Sequence, residues 1–396
     1  MTDWLYRRTG RFFAACADGL ESLLAEELSA LGALDPHPSF RGVYFSSSLG
    51  TLCRVNYMSR LATRVLAPLA TFDCHSTKYL YKTARGFDWS SLFDAERTFA
   101  ITCNVSDSLI THSQYAALCL KDAIVDAFRE SCGRRPDVER TNPEVGLDLF
   151  IQKNRATISL DTSGGSLHRR GYRVPGFDAP MQETVAAAIV KLSGWDGEAP
   201  LHDPMCGSGT LLAEALMHHC RIPAGFLRER FGFEGMPGFD HSEWRAVRAE
   251  CDSLVRPLPE CLISGSDVSR DAVGIARRSL QALPGGGEVR LSCSDFRELE
   301  GFSGYVMMTN PPYGIRLGMK AEAERLVREL GDFLKRKCPE SRAFIYFGDR
   351  SLLKSLGLRP SWRKPLRSGQ LDGRLVLVEI HDSPAGDGDS KGTISY

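Results

Sequence analysis

Leu201-His202-Asp203-Pro204-Met205-Cys206-Gly207-Ser208-Gly209-Thr210-Leu211-Leu212-Ala213-Glu214-Ala215-Leu216 is the stretch whose reading decides the fold. Leu201-His202 ends a buried strand, Gly207 and Gly209 make the turn, and Leu211 to Leu216 begin a strong helical run. That order brings backbone amides and a helix N-terminus close to a nucleotide-type ligand. The turn is not a P-loop, because no Gly-Lys-Ser/Thr follows and a triphosphate would lack its lysine. Nor is it a dinucleotide fingerprint, since no third glycine stands at the required offset. A glycine turn alone is a weak signal, so the loops that follow carry the weight.

Three more strand ends lie downstream. Leu262-Ile263-Ser264-Gly265-Ser266-Asp267 is a short strand closing on a carboxylate that can take both ribose hydroxyls, with Val268 placed to face an adenine. After Val289-Arg290-Leu291, Asp295 can accept from an adenine amino group while Phe296 packs on the ring. Each aspartate taken singly reads as well as a helix cap. Four such loops in succession point to the ligand-binding edge of an open α/β sheet. The last follows Tyr305-Val306-Met307-Met308 and reads Thr309-Asn310-Pro311-Pro312-Tyr313-Gly314. An exocyclic amino nitrogen is a poor nucleophile because its lone pair is delocalised into the ring. The Asn310 amide oxygen and the Pro311 carbonyl can accept its two hydrogens and relocalise that pair. Two prolines hold these acceptors stiffly, Tyr313 offers a ring for the base to stack on, and Gly314 lets the backbone pass close by.

With 396 residues, 43% of them hydrophobic, the chain has material for two or three domains. No apolar run reaches membrane-span length and Met1-Thr2-Asp3-Trp4 does not open a secretory signal, so a cytoplasmic protein is expected. The twelve cysteines are scattered without a Cys-x-x-Cys pair, which favours reduced, buried thiols. His218-His219-Cys220 lacks a second ligand cluster, so no metal is expected. Cys206 lies in the cofactor turn and an asparagine faces the base, which argues for direct transfer to nitrogen without a covalent enzyme-base adduct. Net charge is zero, and residues 1 to 175 carry 21 Lys/Arg against 19 Asp/Glu, so no half of the chain is broadly basic. Within that neutral background, His168-Arg169-Arg170-Gly171-Tyr172-Arg173 combines charge and an aromatic ring in the manner of a nucleic-acid contact, with Arg169, Arg170, Tyr172 and Arg173 as the candidates.

Asp18 and Glu21 form a capping-box signature for a helix over residues 19–31, and a second helix is expected from Tyr115 to Arg129 with Ala117, Leu120, Ile124 and Phe128 on one stripe. Thr98–Cys103 and Ala156–Leu160 alternate like strands. The first 160 or so residues therefore read as two small α+β units. From Ala179 onward strand and helix alternate, the sign of a parallel sheet. An insertion over residues 219–258, rich in arginine and aromatics, is either a lid, an RNA-facing element or a packing appendage. Residues 382–396 are polar and glycine-rich and are expected to be disordered.

The motifs at Asp203–Thr210, Asp267, Asp295 and Asn310–Gly314 resemble those of class I S-adenosyl-L-methionine-dependent methyltransferases acting on exocyclic amino groups. Asn56–Ala62, Lys121–Phe128, Leu167–Arg173 and Ser193-Gly194-Trp195 sharpen the resemblance to the THUMP-domain 23S rRNA guanine-N2 methyltransferases, over nearly the whole chain. It implies an α/β fold: a Rossmann-like class I methyltransferase domain over 166–381, preceded by an α+β ferredoxin-like piece over 1–50 and a THUMP domain over 51–165. It also implies a cofactor site of Pro180, Met181, Gln182, Thr184, Asp203, Met205, Cys206, Gly207, Ser208, Gly209, Thr210, Asp267, Val268, Asp295, Phe296 and Asn310. Catalysis would fall to Asn310, Pro311, Pro312 and Tyr313, on 23S rRNA or a large-subunit assembly intermediate. The bifunctional relatives continue into a second methyltransferase domain, so only the N2 activity is implied here. Asn-Pro-Pro-Tyr fits adenine N6 as well as guanine N2, and a noncatalytic RNA-binding factor on the same scaffold is the rival from another class.

Overall fold

A computed structural model describes residues 3–174, 181–312, 320–369 and 371–382. Tyr313, Gly314, Pro180 and the 383–396 part of the tail lie outside the described residues. The chain forms two compact units: Met1–Arg173 with Glu183–Ala188 and Arg221–Arg256, and Val174–Gln182 with Ile189–Cys220 and Pro257–Tyr396.

In the first unit the elements run α1 (Leu5–Thr9), β1 (Arg11–Ala15), α2 (Glu21–Ala30), β2 (Leu34–Ser39), β3 (Gly42–Ser46), α3 (Leu49–Met58), β4 (Arg64–Asp73), α4 (Thr77–Arg85), β5 (Phe99–Ser106), α5 (Ser113–Cys132), β6 (Val145–Gln152) and β7 (Arg155–Asp161). The two α+β pieces read from sequence share one sheet, in the order β2-β3-β1-β4-β7-β6-β5. β4 is the joint, because its near-continuous apolar run Val65-Leu66-Ala67-Pro68-Leu69 pairs with β1 on one side and β7 on the other. Pro68 has no amide hydrogen for the ladder, and the register shifts just there, between Pro68 and Ala70. α5 buries Ala116, Leu120, Ala123, Ile124 and Phe128; the stripe starts at Ala116, one residue before the position expected. Gly133 ends the helix in the left-handed region at φ 69°, where its N–H bonds the Arg129 carbonyl. The expected capping box of α2 does not form: the cap position is Leu20, and the Glu21 carboxylate accepts instead from the Gly19 N–H at 2.9 Å.

Further along come α6 (Glu183–Ser193), β8 (Leu201–Asp203), α7 (Thr210–His219), α8 (His241–Ser253), β9 (Ile263–Asp267), α9 (Arg270–Gln281), β10 (Arg290–Cys293), β11 (Val306–Thr309), α10 (Lys320–Lys337), β12 (Arg342–Phe347), β13 (Trp362–Pro365) and β14 (Arg374–Glu379). α8 and the rest of Arg221–Arg256 belong to the first unit. The reason is aromatic packing: Trp244 lies edge-on to Tyr57, Phe231 and Phe233, with ring centroids at 5.3, 5.6 and 5.1 Å. Tyr57 also donates to Asp252 at 2.6 Å, and Arg54 grips Glu250 through both guanidinium nitrogens at 2.9 and 2.7 Å.

In the second unit the sheet order is β10-β9-β8-β11-β12-β14-β13, with the first five strands parallel, β14 antiparallel to β12, and β13 antiparallel to β14. One of its cores gathers Phe296, Phe302, Met307, Val327, Leu330, Phe333, Ile345 and Val376. Among the described residues, no helix is long and apolar enough to cross a membrane, and no cluster of His, Cys, Asp or Glu is arranged to hold a metal.

Candidate active site

Strand order reverses at β8: β9 and β10 extend one way and β11 and β12 the other. Loops leaving the carboxyl ends of β8 and β11 therefore diverge and open a crevice, the place where open parallel sheets hold ligands. The glycine turn follows β8 and Asn310 follows β11, and the two strands are hydrogen-bonded neighbours with Val306 beside Leu201 and Met307 beside His202. The two stretches separated by about a hundred residues in sequence thus meet at one edge.

Gly207 and Gly209 both sit at positive φ, 52° and 79°. Gly209 also packs so tightly that a Cβ there would stand 3.0 Å from the Ala276 Cβ. Its N–H closes the turn onto the Cys206 carbonyl at 2.8 Å, and it occupies the cap position of α7. Gly265 in β9 has a different duty: a side chain there would strike Leu212 at 2.5 Å, so the helix seats directly on the strand. Ser208 and Thr210 are buried with their hydroxyls 3.3 Å apart, and Met205 packs on the core. The Cys206 thiol is pushed far up by burial and by Asp203 and Asp267, which keeps it protonated and inert.

Asp203 is 2% exposed. Its carboxyl is pushed up to about 7, chiefly by burial and also by the Asp267 charge, against the pull of the Met205 amide and the Thr309 hydroxyl. A carboxylate so placed gains from a cation brought beside it. Asp267 spends one oxygen on the Gly207 N–H at 2.9 Å and the other on the Ser269 N–H at 2.9 Å, tying the end of β9 to the glycine turn. Two lone-pair sites remain for a pair of hydroxyls. Val268 beside it is 72% exposed, an isolated apolar side chain at the edge.

Asp295 and Phe296 have partners within the protein. Arg297 clasps the Asp295 carboxylate with Nε at 2.8 Å and Nη2 at 2.6 Å, which holds its pKa below the usual range, and Phe296 is buried edge-on to Phe333 at 5.6 Å rather than open to a ligand ring. The reason is local. The three-residue turn after Asp295 is capped by its own side chain, which points Phe296 into the core.

Asn310 carries the most informative atom: its Oδ1 is buried and accepts no hydrogen bond among the described residues. An orphaned acceptor costs roughly 1–3 kcal/mol, so it is kept where a ligand donor will meet it. Pro311 is buried and Pro312 exposed. Met181 is half-buried and Gln182 exposed, and in the first unit the Thr184 hydroxyl is buried without a partner among the described residues. Thr309 and Arg297 received no role from sequence; the available signals were a hydroxyl just before Asn-Pro-Pro and a cation two residues after Asp295.

The basic stretch divides. Arg170 is 1% exposed and donates to the carbonyls of Leu167 at 2.8 Å and Arg60 at 2.5 Å, Tyr172 is 2% exposed, and Arg173 pairs with Glu183 at 3.3 Å. Arg170 and Arg173 are thereby engaged within the first unit. Arg169 alone of the four is exposed.

A parallel sheet in this order, with a glycine turn at its switch point and an acid closing the next strand, defines a Rossmann-like class I methyltransferase domain, here preceded by ferredoxin-like and THUMP domains. The RMKL-like methyltransferase domain matches residues 170–376, the THUMP domain 74–161 and the RlmL ferredoxin-like domain 11–66. The chain belongs to the RMKL-like methyltransferase family. The slr0064 protein of Synechocystis sp. is 36% identical over 374 residues, 94% of this chain and 97% of that one. Ribosomal RNA large subunit methyltransferase K/L of Syntrophotalea carbinolica is 37% identical over 383 residues, 93% of this chain and 53% of its own length. The chain thus spans about half of the K/L relatives it matches. Among solved structures, SMU.472, complexed with SAH, superposes with a TM-score of 0.82 at 27% identity, covering 95% of this chain and 98% of that one.

Proposed function

We propose that this chain transfers a methyl group from S-adenosyl-L-methionine to the exocyclic N2 of a guanine in 23S rRNA, free or within a large-subunit assembly intermediate, in the cytoplasm. The observation that carries the reading is the Asn310 Oδ1, buried and without a partner among the described residues, just past the end of the strand paired with the one that leads into the glycine turn. Relatives named large subunit methyltransferase K/L and a neighbour solved with SAH support it.

The residues fit the cofactor. Gly207 and Gly209 let the backbone approach it, Asp267 takes the ribose hydroxyls, and the buried Asp203 answers its positive charge. When bound, it supplies an electrophilic methyl on a sulfonium. The target base must leave its stack, since its amino nitrogen cannot be reached within one. Asn310 Oδ1 and the Pro311 carbonyl accept the two amino hydrogens and turn the lone pair toward the methyl. The N2–C bond forms as the S–C bond breaks, and the proton leaves afterwards to water, so no strong general base is demanded.

The test is incubation of unmodified 23S rRNA with the chain and labelled cofactor, followed by nucleoside mass spectrometry. N2-methylguanine is expected. N6-methyladenine would move the assignment to adenine, and no product on free or ribosome-bound RNA would leave a noncatalytic RNA-binding factor.

A further inference from the structure

We infer that the Thr309 hydroxyl is a positioning group that joins the two halves of the site: it donates to the ionised Asp203 carboxylate, pins the end of β11, and so sets Asn310 where the amino group of the base is met. This deepens the proposed methyl transfer, rests on it for the role of Asn310, and gives a task to a residue outside that mechanism.

The cofactor turn and the base motif are anchored on opposite sides of the crevice. The Cys206 N–H donates to the Ser266 carbonyl at 2.9 Å and the Gly207 N–H to Asp267 at 2.9 Å, so the turn hangs on β9. β11 is paired with β12 as far as Thr309, which lies beside Ile345, whereas its ladder with β8 ends at Met307 and His202. Pro204, two residues past His202, has no amide hydrogen with which to carry that ladder on. Beyond it the two strands part, and bridging Asp203 to the residue before Asn310 falls to a side chain.

Thr309 is 2% exposed, and its Oγ1 is buried without a hydrogen-bond partner among the described residues. A hydroxyl left so is costly and rare. It faces the Asp203 carboxyl, which it draws down against the effect of burial. The Met205 N–H occupies Asp203 Oδ1 at 3.1 Å, leaving lone pairs on the other oxygen for a second donor. The remaining titratable groups that act with this carboxyl are Asp267, whose charge raises it, and the Cys206 thiol, which stays protonated. An ionised carboxylate accepts from a hydroxyl far more strongly than a protonated carboxyl does. A cation beside Asp203 favours the ionised form, so the contact closes when S-adenosyl-L-methionine is bound. Asn310 stands between Thr309 and Pro311, and a residue before proline has few backbone conformations, so pinning one side of it fixes its amide. Methyl transfer leaves a neutral thioether in place of the sulfonium, and with that charge gone the contact loosens as the methylated base departs.

The experiment compares Thr309→Val, which keeps the shape without the hydroxyl, with Thr309→Ser, which keeps the hydroxyl. Differential scanning calorimetry of the full chain without cofactor, at pH 5.5 and 8.5, reads the contact itself. Losing the donor raises the Asp203 carboxyl by about one further unit, and a carboxyl held higher costs the fold more as pH rises past 7. Thr309→Val should therefore melt below Thr309→Ser by roughly 2–5 °C more at pH 8.5 than at pH 5.5, and this pH-dependent part should vanish when Asp203→Asn is added to both. The second readout is methyl transfer at pH 8.5 with saturating cofactor. Thr309→Val should lower kcat about tenfold with cofactor affinity within a few-fold of wild type, and Thr309→Ser should restore it. A difference between the variants that does not change with pH, the same change in the Asp203→Asn background, or a wild-type kcat in Thr309→Val would each overturn the inference. Absence of methyl transfer by the wild type would remove the assigned function and with it the role of Asn310, whereas calorimetry decides the link between Thr309 and Asp203 separately.

Discussion

Asp203→Asn turns the electrostatics of the cofactor turn into a number. The carboxyl is 2% exposed and held up to about 7, some three units above its ordinary value. At about 1.36 kcal/mol per unit, keeping it ionised in the fold costs on the order of 4 kcal/mol. The folded state keeps a proton here that the unfolded chain has lost between about pH 4 and 7, so the group destabilises the fold progressively as pH rises through that window, and fully above it. Asparagine keeps an oxygen for the Met205 amide, now 3.1 Å from Asp203 Oδ1, and carries no charge. Between pH 5.5 and 8.5 the wild type should therefore lose about 2 kcal/mol relative to Asp203→Asn, which for a chain of this size is a widening gap of roughly 4–8 °C in the melting temperature of the catalytic unit. Differential scanning calorimetry of both proteins at the two pH values measures it, and comparing across pH cancels any constant packing effect of the substitution. With saturating S-adenosyl-L-methionine the wild-type penalty should shrink, because a cation beside Asp203 restores its charge, while the variant binds the cofactor more weakly at pH 8.5. A gap that stays constant with pH would refute the reasoning, since it would mean that Asp203 does not change its ionisation there.

Gly209→Ala should weaken cofactor binding by roughly 5–30-fold in calorimetry, since alanine at φ 79° costs about 1–2 kcal/mol and its methyl meets Ala276 at 3.0 Å; unchanged affinity would show that the turn can relax. Trp244→Ala should destabilise the first unit by roughly 3–5 kcal/mol in urea unfolding, as expected for a buried aromatic touching three rings, and a loss under 1 kcal/mol would mean that the insertion is not held by this cluster.

The catalytic sheet was legible because each strand end carried its own chemistry. Glycines at 207 and 209, acids at 203 and 267 and the Asn-Pro-Pro run are local signals, and sheet topology brings them to one edge. At Asp295 and Phe296 a local signal omits the neighbours: a cation two residues on clasps the carboxylate, and packing against α10 buries the ring. Arg170 and Tyr172 show the limit of reading charge and rings from a string, because a buried arginine that donates to backbone carbonyls looks the same in sequence as one facing solvent. The joined sheet of the first unit and the placement of the insertion rest on pairings between residues far apart in the chain, such as β4 with β7 and Tyr57 with Trp244, which no window of sequence contains.

The most direct measurement is made on Asn310→Ala, following cofactor affinity by calorimetry and methyl transfer to 23S rRNA by isotope incorporation on the same preparation. Removal of one preorganised acceptor should slow transfer by about 10²–10³-fold while cofactor affinity stays within a few-fold of wild type. Transfer within a factor of ten of wild type, or affinity and transfer lost together, would contradict the claim that this amide oxygen holds the base's amino group.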